Sequence, residues 1–417
     1  DIVCMTSDEN RRREWMEGMT KAFKSVKFQD DLDWMLNMEI VHGTNSLGKR
    51  TVSLSQRLGI DKILGQVGNI SRTRSKIIPM NPTANPTKRS EDDPKENQNT
   101  HGFKYATVVG GLMYIANWTR PDLATAVNKL ARYLTDPTDQ HYELLIEVVQ
   151  YLEKTKDRKL TYTETDYSPN RLCGASDSSF NDNKDSSKST IGWGLWLGDK
   201  CNGMIQWASK VPKTVATSST NAEIQAAIGL AKDTLWIKTL LEEWGFRQKG
   251  STVMYQDNEP AIQQIKDTKG TAMSKHYLVL LRKLQELVHL GIIHMNPIDT
   301  NENVADLFTK PLREDKFLYF SQQAVGDYIM DTHAYLIADF RKQKQRRAKN
   351  GGSVQTYEGN ATPRSSSIMK ALSHMESIAR GDESDEFGHT QTAAGIGAFC
   401  DDFRAFGRDY CDQFSAE

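Results

Sequence analysis

Between Arg171 and Leu312 the spacing of apolar residues changes period in a fixed order, and that order restricts the fold more than any other feature of the chain. RLCGASDSSF, TIGWGLWLG and GMIQWASK read as three strands, the second closely following the first, as in an antiparallel meander. A long helical pattern then runs from Asn221 to Trp244. TVMYQDN returns to strand spacing, PAIQQIKD and SKHYLVLLRKLQELVHL are helical, IIHMNPID is a strand and NVADLFTK a closing helix. Such an order implies mixed α/β structure around one sheet.

The flanks are read more coarsely. DIVCM is a short apolar strand, followed by a helix entered near Ser7 and Asp8. DLDWMLNMEIVHG and RTVSLSQ are strands joined by a polar turn at Gly48, and LGIDKILGQVG is a short amphipathic helix. Residues 83–100, with almost no apolar side chain, are expected to form an exposed linker. Three helices follow: VVGGLMYIANW, then PDLATAVNKLARYL opened by Thr119 and Pro121, then HYELLIEVVQYLEKT, whose Leu144, Leu145, Val148, Val149 and Leu152 form one stripe. After Leu312 the pattern weakens. FRKQKQRRAKN is a basic run, GGSVQTYEGNATPRSSS a linker and ARGDESDEFGH an acidic stretch, so 314–417 is expected to be a C-terminal extension, partly helical or disordered.

With 417 residues the chain can hold two or three domains. A formal net charge of -1 excludes a strongly basic chain that coats nucleic acid, so any such contact must use local patches. Cys4, Cys173, Cys201, Cys400 and Cys411 are scattered and odd in number, which suggests neither a disulfide framework nor a zinc site and fits an intracellular setting. No apolar run is long enough for a membrane span. The chain begins at Asp1 rather than Met, and is expected to be part of something longer.

Four acids stand at strand ends or helix starts: Asp177 in GASDSSF, Glu223 in SSTNAEI, Asp257 in YQDNEPAI and Asp306 in NVADLFTK. Three have a structural reading. Thr220 and Glu223 fit a capping box, Asp257 sits where a residue caps a helix, and Asp306 suits the positive end of a helix dipole. Asp177 resists such a reading, because carboxylates are depleted in strands. Four caps would not be expected to fall where one sheet brings them together. Clustered carboxylates raise one another's pKa unless a cation neutralises them, and hard oxygen donors suit Mg²⁺ or Mn²⁺. Two such ions can activate water and stabilise a leaving oxygen, which is metal-dependent nuclease chemistry.

VVGGLMYIANWTRPDLATAV, GASDSSF, KSTIGWGLWLG, IQWASK, ATSSTNAEI, YQDNEPAI, SKHY and NVADLFTKPL together resemble, in order and spacing, the C-terminal part of copia-type (Pseudoviridae) retrotransposon Pol polyproteins. The resemblance implies a ribonuclease H-like fold over 168–313, a mixed five-stranded sheet with flanking helices. Preceding it would be the end of a reverse-transcriptase palm and the start of its thumb (1–82), a linker (83–100) and thumb or connection helices (101–165). DIVCMTSDE looks like the residues just after the polymerase's Y-V-D-D signature, so the fingers and most of the palm would lie upstream and polymerisation is not expected from this chain. The family's metal-binding acids carry over onto Asp177, Glu223, Asp257 and Asp306, implying two Mg²⁺ or Mn²⁺ ions, an RNA/DNA hybrid substrate, and a cytoplasmic virus-like particle or the nucleus as location.

The chain departs from the family's pattern at Ser179, where a second acid is usual, at Asn221 in place of Glu, and at Leu278 in place of an acid. His276 could assist proton transfer. Ser178, Ser179, Thr220 and Asn258 are candidates for sugar contacts, and Lys188, Lys210 and Lys213 for phosphates; each also has an ordinary role as cap or solvated surface. Trp193, Trp196 and Trp207 fit the core better than base stacking, and His294 fits a strand position facing solvent or packed. Two alternatives to a ribonuclease H stay open: a non-catalytic hybrid-binding or host-adapted fragment, and a DNA nuclease of the same superfamily.

Overall fold

Eight-residue strand β5 (Leu172–Ser179) organises the larger of two sheets. It pairs antiparallel with β6 (Thr190–Leu197), which pairs antiparallel with β7 (Met204–Lys210); on its other side it runs parallel to β8 (Thr252–Gln256), itself parallel to β9 (Ile293–Pro297). The order is β7-β6-β5-β8-β9, the mixed five-stranded sheet of the ribonuclease H-like fold. The computed structural model describes residues 6, 8–29, 32–45, 48–68, 76–90, 101–164, 171–198, 202–267 and 277–326, all within the compact unit Asp1–Asp339. The first strand expected at 1–5 and nearly all of the C-terminal extension lie outside them.

Apolar residues on the two faces of this sheet enter separate cores. One face is covered by α6 (Ser219–Glu243), α7 (Glu259–Lys266) and α8 (Leu278–His289), where Trp193, Leu195 and Met254 meet Ile224, Leu230, Ile262 and Leu284. Beneath the other face, Ala175, Trp196 and Met204 join a core built from α3 (Tyr105–Trp118), α4 (Ala124–Ala131), α5 (Asp139–Lys154) and α9 (Glu314–Val325). Polar contacts fix this second layer: Thr125 Oγ1 donates to Leu307 O at 2.6 Å, Asn128 Nδ2 to Ser209 O at 2.6 Å and Trp207 Nε1 to Ala116 O at 2.8 Å. Trp193 and Trp196 are buried and Trp207 half-buried, as core readings require.

An antiparallel four-stranded sheet, β1 (Trp34–Met35), β2 (Met38–Thr44), β3 (Arg50–Ser55) and β4 (Leu160–Thr163), joins the N-terminal part to the strand just before β5. The segment expected as one strand, DLDWMLNMEIVHG, is broken at Leu36 (φ 49°) and Asn37 (φ 58°) into a two-residue hairpin, a turn whose left-handed backbone Asn tolerates well. Helix α1 (Glu9–Ala22) starts where expected, with Asp8 accepting from the Asn10 and Arg11 amides, and α2 (Arg57–Val67) follows β3.

Three further expectations are corrected. Thr119 does not open a helix: it ends α3, its hydroxyl donating to Gln56 Oε1 at 2.7 Å, and the chain continues as a 3-10 turn (Pro121–Leu123) into α4. NVADLFTK forms a 3-10 helix (Val304–Phe308) rather than an α-helix. Over 83–90 the supposed exposed linker is pinned: Pro86 is buried and accepts from Tyr133 Oη at 2.7 Å, and Arg89 pairs with Asp136 at 3.0 Å. Its 91–100 part lies outside the described residues.

The buried hub of the helical layer is polar. Arg120 forks onto both Asp122 oxygens at 2.9 and 2.8 Å, Tyr151 Oη donates to Asp122 at 2.6 Å, and Arg158 reaches Asp122 at 3.2 Å and Ser321 of α9 at 3.3 Å. Burial opposes ionisation of both Asp122 and Arg120, but the facing charge and hydrogen bonds outweigh it. The Asp122 carboxyl is thus held well below the usual range and the guanidinium above its own.

Candidate active site

Parallel pairing of β5 with β8 sets the first two acids side by side. Ala175 is opposite Tyr255, and two residues further on Asp177 lies in β5 while Asp257 directly follows β8, at the carboxyl ends of adjacent strands where the sheet's order reverses. Glu223 arrives from the first turns of α6. Carboxylate oxygens of Asp177, Glu223 and Asp257 all lie within 4.8 Å of one another. Asp306 comes from the 3-10 helix and is linked to Asp177 through Lys310, whose Nζ is 2.5 Å from Asp306 Oδ1 and 3.7 Å from Asp177 Oδ2. The 3-10 helix can approach because β6 has Gly192: a Cβ there would stand 2.6 Å from Phe308 Cβ and 2.9 Å from its carbonyl carbon.

Neighbouring residues perform the capping that the sequence allowed the acids. Ser218, not Thr220, caps α6 and accepts from the Asn221 amide, so the capping box read at Thr220 and Glu223 does not form. Asn258 caps α7 and leaves Asp257 free of that role, while Asn303 caps the 3-10 helix that carries Asp306. Asp177, Glu223 and Asp257 are thereby left to face one another, while Asp306 adjoins Asp177 through Lys310. Asp177, Glu223 and Asp306 are buried and Asp257 half-buried.

The electrostatics express this crowding. Burial, with the neighbouring charges of Glu223 and Asp306, holds Asp177 well above the usual carboxylate range, although Lys310 and the Thr309 hydroxyl oppose the shift. Glu223 is pushed up to about 7 by burial and by Asp257, against polar contacts from Ser178 and Gln256, whose Nε2 donates to Glu223 Oε2 at 3.0 Å. Burial disfavours the Lys310 ammonium, yet Asp177 and Asp306 more than compensate and raise its pKa. The donor set fits a divalent cation: hard oxygens, converging and partly withdrawn from water, in a site where positive charge relieves repulsion.

Of the other candidates, Ser178 and Ser179 are half-buried near the end of β5, with Ser178 beside Glu223. Thr220 is half-buried in the first turn of α6, and Asn258 is committed to its cap, accepting from the Ala261 amide at 2.9 Å. Lys188 is half-buried. Lys213 is exposed after β7, and Lys210 lies over the Trp193 ring at 5.2 Å. His294 faces solvent on β9, and His276 lies outside the described residues. The lysines that reach the acids are instead Lys310 and Lys316, the latter bonded to Asp306 Oδ2. Sequence reasoning passed over Lys310, Thr309, Gln256 and Asn303, although Lys310 follows Asp306 by the four residues that let helical side chains meet. Lys316 had no local signal.

No protein-family model matches the chain. It is 30% identical over 318 residues to the retrovirus-related Pol polyprotein from transposon TNT 1-94 of Nicotiana tabacum, covering 76% of this chain and 23% of that protein. The counterpart from transposon RE2 of Arabidopsis thaliana is 29% identical over 326 residues, covering 78% and 21%. Homologues of this chain are thus retrovirus-related Pol polyproteins of plant copia-like transposons. The chain spans less than a quarter of the length of these two Pol relatives. Secreted RxLR effector protein 161 of Plasmopara viticola is 35% identical over 133 residues, covering 32% of this chain and 90% of that protein. Among solved structures, this chain is similar to the N-terminal RNase H domain of rv2228c from Mycobacterium tuberculosis, with TM-score 0.26 and 13% identity, covering 37% of this chain and 99% of that one. At such a score the fold assignment rests on strand order and direction.

Proposed function

We propose that the chain is a metal-dependent ribonuclease H that hydrolyses the RNA strand of RNA/DNA hybrids. The convergence of Asp177, Glu223 and Asp257 at the carboxyl edge of two parallel strands carries this reading, with Asp306 adjoining through Lys310. The four acids would hold two Mg²⁺ or Mn²⁺ ions, which when bound lower the pKa of water and stabilise the leaving oxygen of a phosphodiester.

The chain's own groups keep the donors aimed. Thr309 donates to Asp177, Gln256 to Glu223, and Asn303 Nδ2 lies 3.1 Å from Ser176 O and 3.4 Å from Asp257 Oδ1, tying β5 to the segment after β8. Hybrid selectivity requires a groove that tells ribose from deoxyribose on opposite strands. Half-buried Ser179 and Thr220 suit ribose contacts and exposed Lys213 a phosphate, whereas the Ser178 hydroxyl is buried beside Glu223. The tryptophans of β6 are buried and unavailable for stacking. Among the described residues no helix is long and apolar enough to cross a membrane.

Incubation of the chain with Mg²⁺ and end-labelled RNA/DNA hybrid, double-stranded RNA or double-stranded DNA tests the reading. Cleavage confined to the RNA of the hybrid, and abolished by chelator, is expected. Cleavage of DNA would favour a different nuclease, and tight hybrid binding without cleavage a binding module.

A further inference from the structure

Two ammonium groups attend the acids, and they are held differently. Lys316 is bonded to Asp306 Oδ2, donates to Thr300 O at 2.9 Å and stands 5.3 Å from the centre of the Phe320 ring, so three partners fix it. Lys310 has Asp306 at 2.5 Å and Asp177 at 3.7 Å as its ionic partners among the described residues, and 41% of its side chain is exposed, against 24% for Lys316. It leaves the end of the 3-10 helix on a flexible four-carbon stem with an open path to water.

Resting on the nuclease reading, we infer that Lys310 is an exchangeable counter-cation: its ammonium neutralises Asp177 and Asp306 while no divalent ion is bound and withdraws to solvent when one binds. Lys316 remains on Asp306 throughout. A doubly charged ion and an ammonium repel when they share the same carboxylates, and the ion has the larger attraction. Hydration compensates the half-exposed Lys310 as it departs, whereas Lys316 would lose a carbonyl and an aromatic face as well. Ion affinity then includes the cost of displacing Lys310, which sets the concentration at which the site loads. The ion-free site is in turn kept from repelling itself open.

Paramagnetic resonance of free Mn²⁺, titrated without nucleic acid, reads this directly on the whole chain and on Lys310→Met, Lys310→Gln, Lys310→Arg and Lys316→Met, with heat melts in EDTA as the folding check. Both neutral variants at 310 should bind Mn²⁺ on the order of tenfold more tightly than the unmodified chain and melt lower in EDTA. Lys310→Arg should bind as the unmodified chain does, and Lys316→Met, which removes a charge that touches Asp306 alone, should gain less than either neutral variant at 310. Folded Lys310→Met and Lys310→Gln that bind Mn²⁺ no more tightly than the unmodified chain would overturn the exchange, as would an equal gain in Lys316→Met. If the unmodified chain cuts hybrid and these variants show no gain, only the exchange is wrong. If no form binds Mn²⁺ and none cuts hybrid, the nuclease reading falls with it.

Discussion

Asp177 is the residue at which function and stability oppose each other. Its carboxyl is buried beside Glu223 and Asp306, so its charged form is disfavoured when no divalent ion is present. Asp177→Asn keeps the shape and an acceptor for the Thr309 hydroxyl while removing that charge. In EDTA near pH 8 the variant should melt a few degrees higher than the unmodified chain, while hybrid cleavage falls by on the order of 10²-fold or more. A lower melting temperature would mean that the acids are not in conflict. Glu223 gives the pH dependence: its folded pKa, about 7, lies above the ordinary 4.5, so the folded state binds the extra proton. Its contribution is therefore fully present below about pH 4.5 and lost as pH rises towards 7. In EDTA, chemical denaturation should find a stability loss over that window which Glu223→Gln removes and which saturating Mg²⁺ reduces.

At the scale of elements, close approach between sheet and 3-10 helix decides where Asp306 and Lys310 sit. Gly192→Ala places a methyl group against Phe308, so we expect a loss of about 1–3 kcal/mol by denaturant melt. Cleavage should fall by more than the lost folded fraction explains, because the displaced helix carries Asp306. Much of this layer was legible beforehand. Strand period, β-branched and aromatic runs and turn residues defined β5 to β9 and α6 to α8, and the acids stood out because each occupied a distinct context. Capping was misassigned because Ser218, Thr220, Asn221 and Glu223 all fit cap positions within one turn, and only the observed register shows that Ser218 takes the role. Lys316, ten residues beyond Asp306, belongs to another helix, so its contact is a tertiary fact that local spacing does not encode. The break at Leu36 and Asn37 was missed because apolar residues continue on both sides of it.

Across the whole molecule, one core runs from α2 and α3 through α5 to the underside of the large sheet and on to α9. These layers should therefore unfold cooperatively, with Asp122 at the hub: Asp122→Ala should cost about 3–5 kcal/mol, because it leaves Arg120 buried with its bonds to Thr155 but without a counter-charge. A fragment containing only 168–326 would expose Phe308 and Phe320, and should melt lower than the whole chain or aggregate. The helical layer is then a structural requirement of the acid cluster. All of this converges on the claim that the clustered acids are a hybrid-cleaving centre. Single-turnover cleavage of an RNA/DNA hybrid in Mg²⁺ by Asp257→Asn, set beside the unmodified chain, tests it most directly. A rate lower by on the order of 10²-fold with an unchanged circular dichroism spectrum is the predicted result; an unchanged rate in the variant would contradict the account.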